Sequence, residues 1–173
     1  MSFNGTTPNP ITDARNELQM SGPILAKRLG LSRQYLSRAE QGTYSSLNPA
    51  LRKWVANATS ISTNDVDKRY RLFQKAQRQN TIEQVGPHKL ERHDSSEPGY
   101  KIFLRWREGY WTSPLQFAIA FCVHPDSVQK YEEGIQRSMP KQIMEALIET
   151  NLIEPNWHDD LFRGEATGGR VRA

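Results

Sequence analysis

The 173-residue sequence has little cysteine and no long apolar segment: it contains one cysteine, Cys122, and its longest apolar run covers residues 117–123. A lone cysteine excludes an internal disulfide and any metal site built from several cysteines. The apolar run is far shorter than the roughly 20 residues of a transmembrane helix. The first ten residues also lack the basic and apolar regions of a secretory signal. We therefore expect a protein of the bacterial cytoplasm that makes no membrane contact.

Common catalytic and nucleotide-binding motifs are also missing. The sequence has no G-x-S-x-G, no Walker-type glycine loop and no G-x-G-x-x-G, and its four histidines show no H-x-x-x-H spacing. Cys122 lies in an apolar segment, which favours a buried structural thiol over a nucleophile. We expect a protein without catalytic residues, metal site or cofactor, and therefore not an enzyme.

The sequence does have apolar residues at helical spacing and no lasting strand-like alternation, which predicts an all-α fold. Two small helical domains are expected, joined by a basic helix and by a linker rich in Pro, Gly and Ser. The predicted segments are a disordered arm (1–10), a first helical domain (11–60), a basic connecting helix (61–85), a linker (86–99), a second helical domain (100–163) and a flexible tail (164–173).

The net charge of +4 is unevenly distributed. Residues 1–57 carry seven Lys or Arg against three acids, whereas residues 101–173 carry nine against ten. A basic N-terminal half indicates a polyanionic partner. A basic surface that only keeps the protein in solution is the alternative.

The segment 25–42, LAKRLGLSRQYLSRAEQG, has the pattern of two short helices joined by a sharp turn. Gly30 can adopt the positive φ that ends the first helix, and Ser32 can cap the second by accepting a bond from a backbone N–H. Leu36 and Ala39 would then face the first helix. This is the geometry of a helix-turn-helix, whose second helix enters the major groove of DNA.

The residues left on the outward face of the second helix carry hydrogen-bonding groups: Arg33, Gln34, Ser37 and Arg38. Arg can donate a bidentate pair to guanine, and Gln can pair with adenine. We therefore predict that these four side chains read DNA bases from the helix 32–41. The solvated face of an ordinary helical hairpin is the alternative.

With these features, residues 22–57 resemble the Xre/Cro-type helix-turn-helix family of phage and plasmid repressors, with an apolar helix at LRKWVAN after the motif. The resemblance implies that Arg33, Gln34 and Arg38 read bases, with Ser37 nearby. It also implies that polar residues just beyond the recognition helix hold DNA phosphates: Thr43, Tyr44 and Ser45. We predict a backbone contact for Ser32 as well. One departure is Gly22-Pro23, where many members of the family have a DNA-contacting Gln.

The predicted connecting helix holds four cations in one stripe at helical spacing: Lys68, Arg71, Lys75 and Arg78. No acid interrupts residues 68–78. Such a stripe can follow a DNA backbone, and each neutralised phosphate steepens the salt dependence of binding. We predict phosphate contacts for all four cations. A solvated connecting helix is the alternative.

A shift of 92 residues aligns the two halves without a gap: apolar positions match, for example Leu36 with Val128, and so do Glu40 with Glu132 and Gly42 with Gly134. The polar positions mostly differ, which two copies of one scaffold with different surfaces would show. Chance similarity between two helical segments is the alternative.

The second copy has fewer base-reading residues, since Pro125 and Asp126 replace the Arg–Gln pair of the first. Its remaining candidate donors to DNA are Gln129, Lys130, Arg137 and Lys141. Two uses stay open. The copy is either a second DNA module, which lets one chain cover an asymmetric site, or a dimerisation or structural domain.

An Xre-like module, a basic helix and a separate helical domain together resemble the layout of immunity repressors of temperate actinobacterial phages, which recognise short asymmetric sites. This resemblance implies a sequence-specific, double-stranded DNA-binding transcriptional repressor that blocks polymerase by occupying an operator. Self-association stays open between a monomer on an asymmetric site and a homodimer. Alternatives from other classes are a protein-interaction adaptor or antitoxin-like regulator, and an RNA-binding regulator.

Overall fold

The computed structural model describes residues 7–90 and 97–153, and all regular secondary structure in these ranges is α-helical, which confirms the predicted all-α fold. In chain order the helices are α1 (Pro10–Glu17), α2 (Gly22–Leu29), α3 (Arg33–Glu40), α4 (Pro49–Ala58), α5 (Thr63–Val85), α6 (Gly99–Glu108), α7 (Pro114–Ala120), α8 (Pro125–Glu132) and α9 (Lys141–Glu149). Parts of the predicted arm (1–6), linker (91–96) and second domain (154–163), and the whole predicted tail (164–173), lie outside the described residues.

Local sequence signals set where the early helices begin and end. Ser32 caps α3 as predicted, because its Oγ accepts a hydrogen bond from the Tyr35 N–H at 3.0 Å. Ser62 caps α5 in the same way, with its Oγ 3.1 Å from the N–H of Asp65. Gly30 ends α2 with a φ of 65°, a left-handed conformation that glycine adopts without a Cβ clash.

The first unit consists of α1–α4 and the N-terminal half of α5, packed around one apolar core. α2 packs against α3, and the α3 residues Leu36 and Ala39 are 2% and 0% exposed. Both were predicted to face inward. Their burial fixes which side of α3 remains available to solvent.

The second unit consists of α6–α9, and its core is more aromatic. Phe103, Phe117, Phe121 and Tyr131 are fully buried, and the rings of Phe103 and Phe117 meet edge to face with their centroids 5.3 Å apart. Aromatic pairs of this geometry add to the stabilisation that comes from burial alone. These residues therefore form a packed interior.

Helix α5 belongs to both units. Val66 and Tyr70, in its first half, are buried in the first core, whereas its second half packs against α7. Beyond α5 the chain stays packed: Leu90 is buried in the second core, and its N–H donates to the carbonyl of Leu152 at 3.0 Å. The described start of the predicted linker 86–99 is therefore structured, and α5 is a shared element whose two halves pack in different units.

The helices recur at the 92-residue offset seen in the sequence. α3 and α8 are both eight residues long, and they start 92 positions apart, as α4 and α9 do. The preceding turns also match: the Leu31 N–H donates to Ala26 and the Val123 N–H donates to Ala118, each at 2.9 Å. The same backbone path is therefore built twice from largely different residues.

An arginine–glutamate pair repeats at this offset as well. The sequence comparison matched its glutamates, Glu40 and Glu132, but not its arginines. Arg15 Nε lies 2.8 Å from Glu40 Oε1 in the first unit, and Arg107 Nε lies 2.7 Å from Glu132 Oε1 in the second. Each pair joins the first helix of its unit to α3 or α8. The side chains of the first pair are 23% and 22% exposed, and those of the second only 3% and 6%.

Candidate nucleic-acid interface

The outward face of α3 exposes three of the four predicted base-reading residues: Arg33, Gln34 and Ser37. None of these side chains is engaged in a hydrogen bond or ion pair with the residues that the structure describes. The backbone beneath them is fixed by the Ser32 cap and by the buried Leu36. Their donor groups are thus unoccupied and project from a rigidly supported helix start.

Arg38, the fourth predicted base reader, lies in the last turn of α3 and is only partly exposed. Its side chain is 24% exposed, and its Nη1 lies 4.0 Å from Oδ1 of Asp126, a 61% exposed residue at the start of α8. An ion pair this long and this solvated is worth less than about 1 kcal/mol. Arg38 can therefore leave Asp126 at little cost.

Tyr35, which sequence analysis did not single out, fixes the chain that follows α3. Its hydroxyl accepts a hydrogen bond from the N–H of Asn48 at 2.7 Å, and burial raises the pKa of this phenol. Its ring stacks on Tyr44, with centroids 4.6 Å apart. Tyr44 also lies beside His124 of the second unit, at 5.4 Å between ring centroids. The chain that follows α3 is thereby packed against His124, the residue that caps α8.

The four predicted phosphate-binding residues beside α3 do not share one environment. Ser32 and Ser45 are exposed, and Tyr44 is half-buried between rings. Thr43 is fully buried, and its Oγ1 donates to the carbonyl of Arg38 at 3.1 Å. The predicted phosphate contact is therefore wrong for Thr43, because its hydroxyl is sealed inside the protein and closes the end of α3.

The predicted stripe of cations on α5 is also corrected at one position. Lys68, Arg71 and Lys75 are exposed, as predicted, and Lys68 lies 3.5 Å from a carboxylate oxygen of Asp65. Arg78 is only 9% exposed, and its guanidinium is used by the second unit. Arg78 is therefore not available to a phosphate, because the helix turns this cation toward α7 and α9.

The exposed cations of α5 line a cleft of about 810 Å³ between α5 and α9. Lys141, a predicted donor of the second unit, lies in the same cleft and forms an ion pair with Glu145 at 3.4 Å. Glu149 adds a second carboxylate to the α9 side. The structure thus brings together Lys141 and the α5 stripe, which the sequence placed in separate domains.

The other predicted donors of the second unit lie on or after α8. Gln129, Lys130 and Arg137 are exposed, and the Gln129 amide donates to Glu133 Oε1 at 2.8 Å. Asp126, which occupies the position of Gln34, is exposed. The outward face of α8 therefore carries mixed charge, in contrast to the outward face of α3.

The single cysteine is buried between the two units. Burial raises the pKa of the Cys122 thiol to about 12, so this side chain is a protonated thiol at neutral pH. Its Sγ lies 3.7 Å from the carbonyl of Gln41, at the junction of the two units. In the ranges 7–90 and 97–153, no group of three or more His, Cys, Asp or Glu could hold a metal ion.

Comparison with known proteins gives no relationship from which to assign a family. No protein-family model matches the chain, and neither a curated protein nor a solved structure matches it. Across the part of the chain that the structure describes, every helix is too short or too polar to cross a bilayer.

Proposed function

We propose that this protein is a sequence-specific, double-stranded DNA-binding transcriptional repressor of the phage-immunity type. It acts in the bacterial cytoplasm by occupying an operator, without a cofactor. The observation that carries the proposal is the exposed trio Arg33, Gln34 and Ser37 at the capped start of α3. Their side chains have no partner among the described residues, while the helix beneath them is anchored in a core.

The chemistry of these groups suits the major groove. A guanidinium can donate two parallel bonds to guanine O6 and N7, and a carboxamide can pair with adenine N6 and N7. Each such pair discriminates against the wrong base by roughly 1–3 kcal/mol. Because the helix dipole is positive at its N-terminus, the start of α3 also attracts the phosphates that flank the bases. In this proposal α2 and α3 form a helix-turn-helix.

Phosphate binding is proposed for the exposed cations of α5. Lys68, Arg71 and Lys75 face the cleft, and Lys141 extends their charge onto α9. Each phosphate they neutralise contributes about 0.9 to the slope of log affinity against log salt concentration. Arg78 is excluded from this set because its guanidinium is buried.

The second unit is proposed to make a further DNA contact through Gln129, Lys130 and Arg137, which are exposed. One specific observation favours another role for this unit. Asp126 and Glu133 place exposed carboxylates on the outward face of α8 beside these donors, and such carboxylates repel a phosphate backbone but can pair with basic groups of a protein partner. The second candidate function is therefore a protein-interaction adaptor or antitoxin-like regulator that binds protein through α6–α9.

A competition assay separates these functions. A labelled duplex selected by the protein is competed with unlabelled selected duplex, random duplex and RNA at several salt concentrations. We expect selected duplex to compete far better than the other two. Arg33→Ala should reduce the difference in binding free energy between selected and random duplex by about 1–3 kcal/mol. Lys75→Ala should instead weaken binding to all duplexes alike and reduce the slope of log affinity against log salt concentration by about 0.9.

Lys53→Ala is the matched control, because Lys53 is an exposed cation outside the proposed contacts. It should change neither the preference nor the salt slope. If random duplex and RNA compete as well as the selected duplex, the proposal of a sequence-specific repressor is ruled out.

A further inference from the structure

The C-terminal end of α7 is held by side chains from α5. The last carbonyls of a helix have no partner within it, so they need donors from elsewhere. Here Gln77 Nε2 donates to the carbonyl of Ile119 at 2.9 Å, and Thr81 Oγ1 lies 3.2 Å from the carbonyl of Ala120. A helix of the second unit is thus completed by the helix it shares with the first.

Arg78 makes the most extensive of these connections. Its Nε donates to the carbonyl of Phe121 at 2.6 Å, and its Nη1 lies 2.6 Å from Oε2 of Glu149 on α9. Its Nη2 lies 3.5 Å from the carbonyl of Cys122, so the guanidinium joins the end of α7 to α9 with three donors that point in different directions. A lysine ammonium cannot reproduce this fork, since its charge sits on one atom. Arg78 is only 9% exposed, so its guanidinium needs these partners, because an unpaired buried cation costs folding free energy.

The turns of α5 just before Arg78 are bonded to the first unit in the same manner. The Tyr70 hydroxyl donates to the carbonyl of Ala39 at 3.1 Å, and Gln74 Nε2 donates to the carbonyl of Tyr44 at 2.9 Å. Residues 70–78 of one continuous helix therefore connect the end of α3 with the end of α7. The connection is short, since about 12 Å separates the two ends of this span at 1.5 Å per residue.

We infer that Arg78 is a positioning residue that fixes the orientation of the second unit relative to α3. The two units then move as one rigid body, with the start of α8 held beside the end of α3. The consequence for DNA, namely that both units meet one duplex in a set register, rests on the proposed function. The rigidity itself does not.

The test measures the distance between the units without DNA. Spin labels are attached at Asn16→Cys on α1 and Lys101→Cys on α6, both exposed sites, while the native Cys122 is 0% exposed and takes no label. Double electron–electron resonance should give a narrow distance distribution for the otherwise unchanged chain. Arg78→Lys should broaden it, because the cation remains but the fork is lost.

Two further variants make the result decisive. Lys75→Ala removes an exposed cation one turn earlier on α5 and should leave the distribution narrow. Glu149→Gln changes the 44% exposed partner of Arg78, so the fold tolerates it, and it should broaden the distribution as Arg78→Lys does. An unchanged distribution in Arg78→Lys or Glu149→Gln, with intact circular dichroism, would overturn the inference.

A DNA arm then separates failure of this inference from failure of the proposed function. On a selected duplex that both units contact, Arg78→Lys should lose affinity on the order of tenfold or more, because the second contact is no longer pre-positioned. The preferred bases should stay the same, since α3 is untouched. If no duplex is preferred by any variant, the repressor proposal fails, while a broadened distance distribution would still support the positioning role.

Discussion

The repeated arginine–glutamate pair allows one perturbation to be compared at two degrees of burial within a single chain. Glu132→Gln removes the charge that faces Arg107, whose side chain is 3% exposed. Leaving a buried charge without its partner costs about 3–5 kcal/mol. Arg107 keeps a bond to the carbonyl of Trp111 at 2.9 Å, and its Nη2 lies 3.8 Å from the exposed carboxylate of Glu108, which places the expected loss near the lower end of that range. Glu40→Gln leaves Arg15 23% exposed, where water screens the charge, so we expect roughly 1 kcal/mol.

The assay is urea unfolding at neutral pH, followed both by tryptophan fluorescence and by far-ultraviolet circular dichroism. Trp54 reports on the first unit, Trp106 and Trp111 report on the second, and circular dichroism reports on all helices. Glu133→Gln is the control, because this neighbouring acid is exposed and should change stability by less than about 0.5 kcal/mol. Equal losses for Glu132→Gln and Glu40→Gln would refute the argument that burial sets the value of the pair.

Two further predictions concern the junction of the two units. Gly42→Ala should destabilise the protein by about 2–5 kcal/mol, because φ is +78° and an added Cβ would lie 2.9 Å from the Cys122 Sγ. Gly30 has a φ of +65° and open space where a Cβ would be added, so Gly30→Ala should cost only about 1–2 kcal/mol. Thermal unfolding measures both losses of stability, and equal losses for the two variants would contradict this prediction. Burial raises the pKa of Cys122 from 9.0 to about 12, so the folded protein keeps a proton that the unfolded chain releases. The thiol should therefore contribute its whole stabilisation to the free energy of unfolding below about pH 9. Above about pH 9 this contribution should fall by up to about 1.4 kcal/mol per pH unit. Wild type and Cys122→Ala should accordingly converge in stability as the pH rises, and a constant difference would argue against a buried neutral thiol.

Local patterns in the sequence were sufficient for the helices and for the start of α3. Ser32, Gly30 and Leu36 lie where capping, turn and amphipathic rules place them, because those rules depend on neighbours within one or two turns. The 92-residue offset also follows from sequence, since apolar spacing is preserved. That comparison matched Glu40 with Glu132, and extending it toward the start of each unit would also have matched Arg15 with Arg107.

Contacts between the units could not be predicted in this way. Lys75 and Arg78 lie on one helical stripe in the sequence, yet one is exposed and the other is bonded to α7 and α9. Helical spacing states which residues share a face, but it does not state which part of that face another unit will cover. Thr43 shows the same limit, because its burial depends on how the chain after α3 folds back on that helix.

The central claim is that the start of α3 reads DNA bases. The most direct test is to let the wild-type protein and Arg33→Ala each select duplexes from a random pool. The wild-type protein should enrich one defined DNA sequence. Arg33→Ala should lose the preference for a guanine at one position of that sequence, while the base preferences at the other positions stay the same. No enrichment by the unchanged protein, or the same enriched sequence with the same guanine preference in Arg33→Ala, would contradict the account.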